Sequence, residues 1–315
     1  MPTGLLRFLL RRVASALVLV FVVSSSALVL LRLAPGDAIS GFDVDPVQAA
    51  RERERLGLDR PLLAQYASWL GRAVRLDFGE SLKYRRPVGD LVRDRALNTL
   101  VLGVAALALA TLLGVPAGVL TATRHGVIRA AARGISLLLL SLPPLVTSFG
   151  LLIVAASTGW LPVGGFGIVG GWSDATAVRY LILPALALAL PLAASIERLQ
   201  SQAMTRALEE PCVHAARARG CSPERAIWRH AFPLSLGPVI SIYGVMVGTV
   251  LSGSFAVELV TSWPGLGALM YEALVARDLY LAAGCATVGA ALLAAGVFLA
   301  DVALALLDPR VAGTA

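Results

Sequence analysis

The sequence predicts an all-α polytopic membrane protein with six transmembrane helices and a small helical lobe after the first of them. Three observations carry this. Hydrophobic residues make up 57% of the 315 and charged residues only 15%, with a mean hydropathy of +0.77, whereas soluble domains average nearer half and a quarter. Apolar runs recur at the roughly 20 residues that a helix needs to cross a bilayer. Arginine gathers in one set of short loops, as in loops retained on the cytoplasmic side.

The first apolar run spans 8–31, with Arg7, Arg11 and Arg12 at its start. A cleaved leader would have an apolar region of only ~7–15 residues, so this run reads as a retained helix, residues 1–31. Residues 32–95 are polar and mixed in charge, and read as a compact extracytoplasmic lobe. Asp45-Pro46 opens a helix there and Gly57 closes it. Pro61 opens another, with Leu62, Leu63, Tyr66, Trp69, Leu70 and Ala73 at helical spacing. Asp77-Phe78-Gly79-Glu80-Ser81 reads as a turn.

Five further spans are expected at 96–122, 134–156, 179–199, 234–257 and 279–307. They form a core over 96–310, leaving a short tail at 311–315. Pro116, Pro143-Pro144, Pro184 and Pro191 fall inside spans, where proline kinks a helix and frees backbone groups that protein or water must satisfy. Gly244 and Gly248, four apart, would either let a neighbouring helix approach closely or ease a bend in their own helix. The loop 123–133 carries Arg124, Arg129 and Arg133 without an acid, and the loop 197–233 carries six arginines against four glutamates. The opposite loops, 157–178 and 258–278, hold only one arginine, Arg277. Both termini and the 200–233 loop are therefore expected in the cytoplasm, with the chain in the cytoplasmic membrane. A loop near 60 residues crosses largely regardless of its charge, which allows the lobe at 32–95 to lie outside.

That polar loop, from Glu197 to Pro238, is the most informative stretch. Pro211 after Glu209 and Glu210 suits a first helical turn, where a missing N–H costs nothing and negative charge meets the positive dipole end. Gly220 suits the left-handed residue just past a helix end. Ser222-Pro223-Glu224 supplies a cap, a proline and an acid to restart a helix. Such a unit between spans is built to be held by another protein.

Several function classes are disfavoured. The only lysine, Lys83, is followed by Tyr84, so the chain has no Gly-Lys-Ser/Thr phosphate loop. Cys212, His214, Cys221 and His230 match no familiar zinc spacing, and residues two apart on a helix do not face one another. The three cysteines, with Cys285, give no disulfide framework. The net charge of +7 lies beside apolar spans and not in an aromatic-interleaved patch, which argues against nucleic acid. An intramembrane enzyme or an ion-coupled carrier would need ionisable groups deep in the spans. Glu197, Arg198, Glu258 and Asp301 all fall near expected span ends, and His125, His214 and His230 lie outside the spans. No catalytic, cofactor or metal residues are expected.

The stretch Ala215-Ala216-Arg217-Ala218-Arg219-Gly220, with Arg229-His230-Ala231 and Pro238 downstream, resembles the EAA loop of ATP-binding-cassette importer permeases, in particular the dipeptide/oligopeptide/nickel branch. The likeness extends over nearly the whole chain. It includes Leu31-Arg32-Leu33-Ala34-Pro35-Gly36-Asp37, Leu56-Gly57-Leu58-Asp59-Arg60-Pro61, Asp77 to Leu82 and Asn98-Thr99-Leu100. Further on come Gly159-Trp160-Leu161-Pro162-Val163, Tyr180 to Ala185, the turn Trp263-Pro264-Gly265-Leu266-Gly267 and Leu307-Asp308-Pro309-Arg310. His214 stands where the general pattern has Glu, Pro211-Cys212 where an acidic-aromatic pair is common, and Pro233-Leu234 where Arg-Asn is usual.

The resemblance implies the architecture of type I importer permeases and a set of partners. These are a homologous second permease, two cassette ATPase subunits that bind ATP and Mg, and an extracytoplasmic substrate-binding protein. It also implies that the helix near 209–219 docks in an ATPase cleft, through Glu209, Glu210, His214, Ala215, Ala216, Arg217, Arg219, Gly220, Arg229 and His230. Peptides are the cargo most often implied, with nickel, glutathione and other small solutes carried by close relatives.

Overall fold

The computed structural model describes residues 2–33, 61–164 and 177–307. The helix expected from Asp45-Pro46 to Gly57 and the tail 311–315 lie outside the described residues. The described chain is almost wholly helical, with one isolated antiparallel bridge between Glu80 and Pro87. In chain order the helices are α1 (Pro2–Leu33), α2 (Leu62–Ala73), α3 (Val88–Thr123), α4 (Val127–Ser141), α5 (Pro144–Thr158) and α6 (Ala177–Leu208). There follow α7 (Pro211–Ala218), α8 (Pro223–Arg225), a π-helical turn (Ala226–Ala231), α9 (Phe232–Ser241), α10 (Tyr243–Thr261), α11 (Leu266–Val275) and α12 (Leu279–Leu307).

Among the described residues, five helices are long and apolar enough to cross a membrane: Arg7–Leu30, Val88–Thr123, Ala177–Leu208, Tyr243–Thr261 and Leu279–Ala305. A sixth span results if α4 and α5, bent by 107° at their junction, count as one. The span expected at 134–156 is thus a broken pair, not a continuous helix. The cause is local. Leu142 before Pro143 is extended, and Pro143 is itself extended before Pro144, which opens α5 at its first turn where no N–H is needed. Gly159 ends α5 in the left-handed conformation, its N–H donating to the Ala155 carbonyl at 2.9 Å. The span expected at 234–257 is also divided, into α9 and α10.

The chain divides into two compact units. One comprises 1–12, 101–263 and 295–315. Its core gathers Leu102, Ala106 and Ala110 of α3, Leu188, Leu192 and Ile196 of α6, and Met246, Val250 and Val257 of α10, with Trp263. Alanine and glycine on facing sides let these helices nearly touch. A Cβ at Gly114 would stand 2.6 Å from the Ala193 carbonyl oxygen, and one at Gly118 would stand 2.7 Å from that of Glu197. Both contacts are too short for any side chain, so α3 and α6 meet backbone to backbone. This seam lies at Gly114 and Gly118; of the pair Gly244 and Gly248, Gly244 has only ordinary contact with Ala300, at 3.9 Å, while beside Gly248 the Val247 side chain stands 2.5 Å from where a Cβ of Gly296 would be.

The other unit comprises 13–100 and 264–294. Trp69, at the centre of the predicted helical stripe, is 1% exposed and lies with Leu28 and Ala283, while the Tyr66 hydroxyl meets Ser25 at 2.7 Å. The loop between α2 and α3 closes as predicted at Asp77, whose carboxylate accepts the Gly79 N–H at 3.0 Å. Buried Asp278 then fastens this loop to the start of α12. One carboxylate oxygen accepts the Ser81 hydroxyl at 2.6 Å and the Lys83 N–H at 3.1 Å, while the other caps α12 by accepting the Leu281 N–H at 3.1 Å.

Candidate partner-docking loop

The segment between α6 and α10 is itself almost wholly helical, built of α7, α8, the π turn and α9. Glu210, in extended conformation, precedes α7, and Pro211 occupies the first turn. At the other end Gly220 has φ +85°, a conformation costly for any residue with a Cβ. Its N–H donates to the Arg217 carbonyl at 2.9 Å, and the Cys221 N–H to the Ala216 carbonyl at 3.1 Å. This pair of bonds is the Schellman closure, and it satisfies carbonyls a helix end otherwise leaves bare. Ser222 then caps the next helix, its hydroxyl accepting the Arg225 N–H at 3.4 Å.

Apolar anchoring holds the helix from one side only. Val213 is fully buried and Ala216 nearly so. Val213 joins Val119 and Ala122 at the end of α3, Met204 and Ala207 at the end of α6, and Ala226 and Ala231 of the π turn. Every other residue of the loop helix faces outward. Glu209, Glu210, Cys212, His214, Ala215, Arg217, Arg219 and Gly220 are exposed, as is Arg229, and His230 is half-buried. Of the loop residues singled out from the sequence, Ala216 alone points inward and belongs to the packing rather than to the outer face.

Two features escaped the sequence reading. The segment 226–231 is a π turn, which shifts Arg229 and His230 from their α-helical positions. Trp228 on this turn is 55% exposed, with its ring tilted against Phe232 at a centroid distance of 5.3 Å. The signal available was a tryptophan among charged residues in a polar loop, an arrangement common where a partner docks.

The turn Trp263-Pro264-Gly265-Leu266-Gly267 is built differently. Trp263 is buried, and its N–H donates to the Glu258 carbonyl at 2.9 Å. Asn98 Nδ2 donates to the Pro264 carbonyl at 2.7 Å, and the Leu266 N–H donates to Thr99 Oγ1 at 2.7 Å. Two motifs read separately in the sequence, 98–100 and 263–267, thus form one hydrogen-bonded corner. Beside it in the same unit, Glu272 accepts the Tyr84 hydroxyl and pairs with Lys83 at 3.1 Å. Partial burial opposes ionisation of Glu272, yet the bonds from Tyr84 and Lys83 hold its carboxyl below the usual range. Burial likewise works against the Lys83 ammonium, and pairing with Glu272 raises it above its ordinary value all the same.

Of the ionisable groups expected near span ends, Arg198 is exposed but the acids are enclosed or paired. Glu197 is 4% exposed and Glu258 fully buried, whereas Asp301 pairs with Arg12 at 3.1 Å.

The comparison with known families decides what this scaffold is. Residues 114–313 match the family described as the binding-protein-dependent transport system inner membrane component. The chain belongs to that family. Residues 5–103 match the corresponding N-terminal part of such membrane components. Relatives cover nearly the full length. The oligopeptide transport system permease protein AppB of Bacillus subtilis is 32% identical over 314 residues, 96% of this chain and 98% of its own. The di/tripeptide transport system permease protein DppB of Pseudomonas aeruginosa is 33% identical, covering 98% and 99%. The oligopeptide transport system permease protein OppB of Escherichia coli is 32% identical over 315 residues with the same coverage. As an inner-membrane component of a binding-protein-dependent system, this chain is a multi-pass transport subunit of an ABC importer.

Proposed function

We propose that this chain is the peptide permease of an ATP-driven importer, moving di- and oligopeptides into the cytoplasm by alternating access. The observation that carries this reading is the one-sided loop helix: opened by Pro211, closed at Gly220, anchored through Val213, with its charged face outward. A rigid helix transmits displacement, and a transport cycle needs an element that a partner can bias between two states. The outward residues Glu209, Glu210, His214, Ala215, Arg217, Arg219 and Gly220, with Arg229 and His230, form the face docked by an ATPase subunit. Trp228 adds an aromatic anchor to it. The loop 200–233 and both termini lie in the cytoplasm, and the lobe at 32–95 and the turn at 263–267 face outward toward a substrate-binding protein. A second permease of the same family completes the path, at an interface with 96–310. ATP and Mg belong to the two ATPase subunits. Near-complete alignment with relatives named for oligopeptides and di/tripeptides supports the peptide cargo.

Reconstitution tests this. Proteoliposomes holding both permeases and both ATPases, with the receptor outside, are expected to accumulate dipeptide only with ATP inside. The purified chain alone is expected to hydrolyse none. Accumulation driven by an ion gradient without ATP would overturn the proposal.

A further inference from the structure

Between α4 and α6 lies a cleft of about 250 Å³, lined by Arg133, Ser136, Glu197, Arg198, Ser201 and Gln202 among others. It belongs to the end of the bundle that carries α7. Arg198 lies ten residues before the end of α6, a rise of about 15 Å, and α6 meets the loop helix there through Met204 and Ala207.

The chemistry of the lining is unusual for an apolar bundle. Glu197 is 96% removed from solvent (4% exposed), and its Oε1 has no hydrogen-bond partner. Among the described residues no cation pairs with it, although the arginines 133 and 198 line the same cleft and are exposed. A buried carboxylate without a partner is costly, and such groups are kept where a ligand completes them. The missing partner is a cation that can also donate hydrogen bonds. The arginines beside it offer forked donors suited to a carboxylate. A cleft with an acceptor for an ammonium and donors for a carboxylate matches a zwitterion, and its volume is near that of a short peptide or amino acid.

We infer that this cleft is a transmembrane subsite for a zwitterionic ligand, with Glu197 receiving the free α-ammonium and Arg198 and Arg133 the α-carboxylate. The inference rests on the reading of the chain as a peptide permease and adds a requirement to it: the cargo presents free termini at this end of the path. The subsite lies within this subunit's own α4 and α6, so the permease contributes to selection alongside the receptor.

The test uses the complete transporter in proteoliposomes, with Cys212, Cys221 and Cys285 replaced and Gln202→Cys introduced at the rim. Its maleimide labelling rate is followed with and without alanyl-alanine, and with the N-acetylated, C-amidated form. Alanyl-alanine is expected to slow labelling and the blocked peptide to leave it unchanged. Glu197→Gln is expected to raise the protecting concentration roughly tenfold to a hundredfold, the effect of losing a charge-assisted hydrogen bond. Equal protection by both peptides would overturn the inference, and so would a position closed to maleimide without peptide, which would mean that the partner permease fills the cleft. ATP-driven uptake is measured in the same vesicles. Uptake without protection removes the subsite and leaves the peptide permease standing, while absent uptake counts against the permease reading itself.

Discussion

The loop helix α7 and the corner formed by Asn98, Thr99 and residues 264–266 use their polar groups in opposite ways. At the corner, polar side chains face inward and bond to the chain itself: Asn98 to Pro264, Thr99 to Leu266, and nearby Asp278 to Ser81, Lys83 and Leu281. At the loop, polar side chains face outward, and only Val213 and Ala216 hold the helix down. Neither arrangement is accidental. A corner that satisfies its own donors and acceptors is a structural joint, and its residues are costly to change one at a time. A helix closed at its C-terminal end, with its side chains unspent, offers a preformed outer face, the one proposed above as the partner contact. The difference teaches that family motifs of equal prominence in a sequence can serve architecture in one place and partnership in another.

Several substitutions would break or sharpen that contrast. The largest effect is expected from Val213→Asp, which buries an unpaired charge in the cluster under α7 and should cost about 3–5 kcal/mol. The neighbouring His214→Asp, on the outer face, should stay within about 0.5 kcal/mol. Thermal unfolding midpoints in nanodiscs would separate the two, and equal losses would erase the inward–outward distinction. Next is Asp278→Ala. It removes the cap of α12 and strands the Ser81 hydroxyl and the Lys83 and Leu281 N–H groups, an expected loss of about 2–4 kcal/mol. Gly220→Ala, at φ +85°, should cost about 1 kcal/mol without altering what α7 presents, since open space surrounds the position.

The smallest effect concerns pH at Glu272. Its carboxyl is held below its ordinary value of 4.5, so its stabilising contribution is complete above that value and is lost as pH falls through the lower, folded one. Lys83 is held above 10.5, so its contribution is present below that pH and fades as pH rises past it. Both side chains keep about a third of their surface in water, and screening there keeps the contribution modest. Stability curves should show Glu272→Gln flattening the acid limb slightly. An unchanged limb would mean the pair contributes nothing measurable.

Much of the loop could be read in the sequence because its signals are local. Gly220 and Ser222 sit where the backbone requires a left-handed residue and a cap, and Pro143-Pro144 marks where a span must break. These depend on a few neighbouring φ/ψ values and little else. What could not be read depends on distant partners. The bond from Leu266 to Thr99 joins residues 167 apart, and nothing in either motif says that the other is its acceptor. The tight seam at Gly114 and Gly118 follows from where α6 lies, which glycine spacing does not tell: Gly244, in a pair spaced the same way, has only ordinary contact. The π turn at 226–231 has no composition of its own. Glu197 was placed near a span end because hydropathy falls there, whereas α6 runs on to Leu208 and encloses it.

The outward face of α7 is proposed as the ATPase contact, and its inward face as an anchor only. Charge reversal of the face tests it most directly, with Arg217→Glu and Arg219→Glu combined in the complete transporter, followed by co-purification of the ATPase subunits. The ATPases are expected to be lost while the permease pair stays together and melts at an unchanged temperature. Full retention of the ATPases by that variant would contradict it.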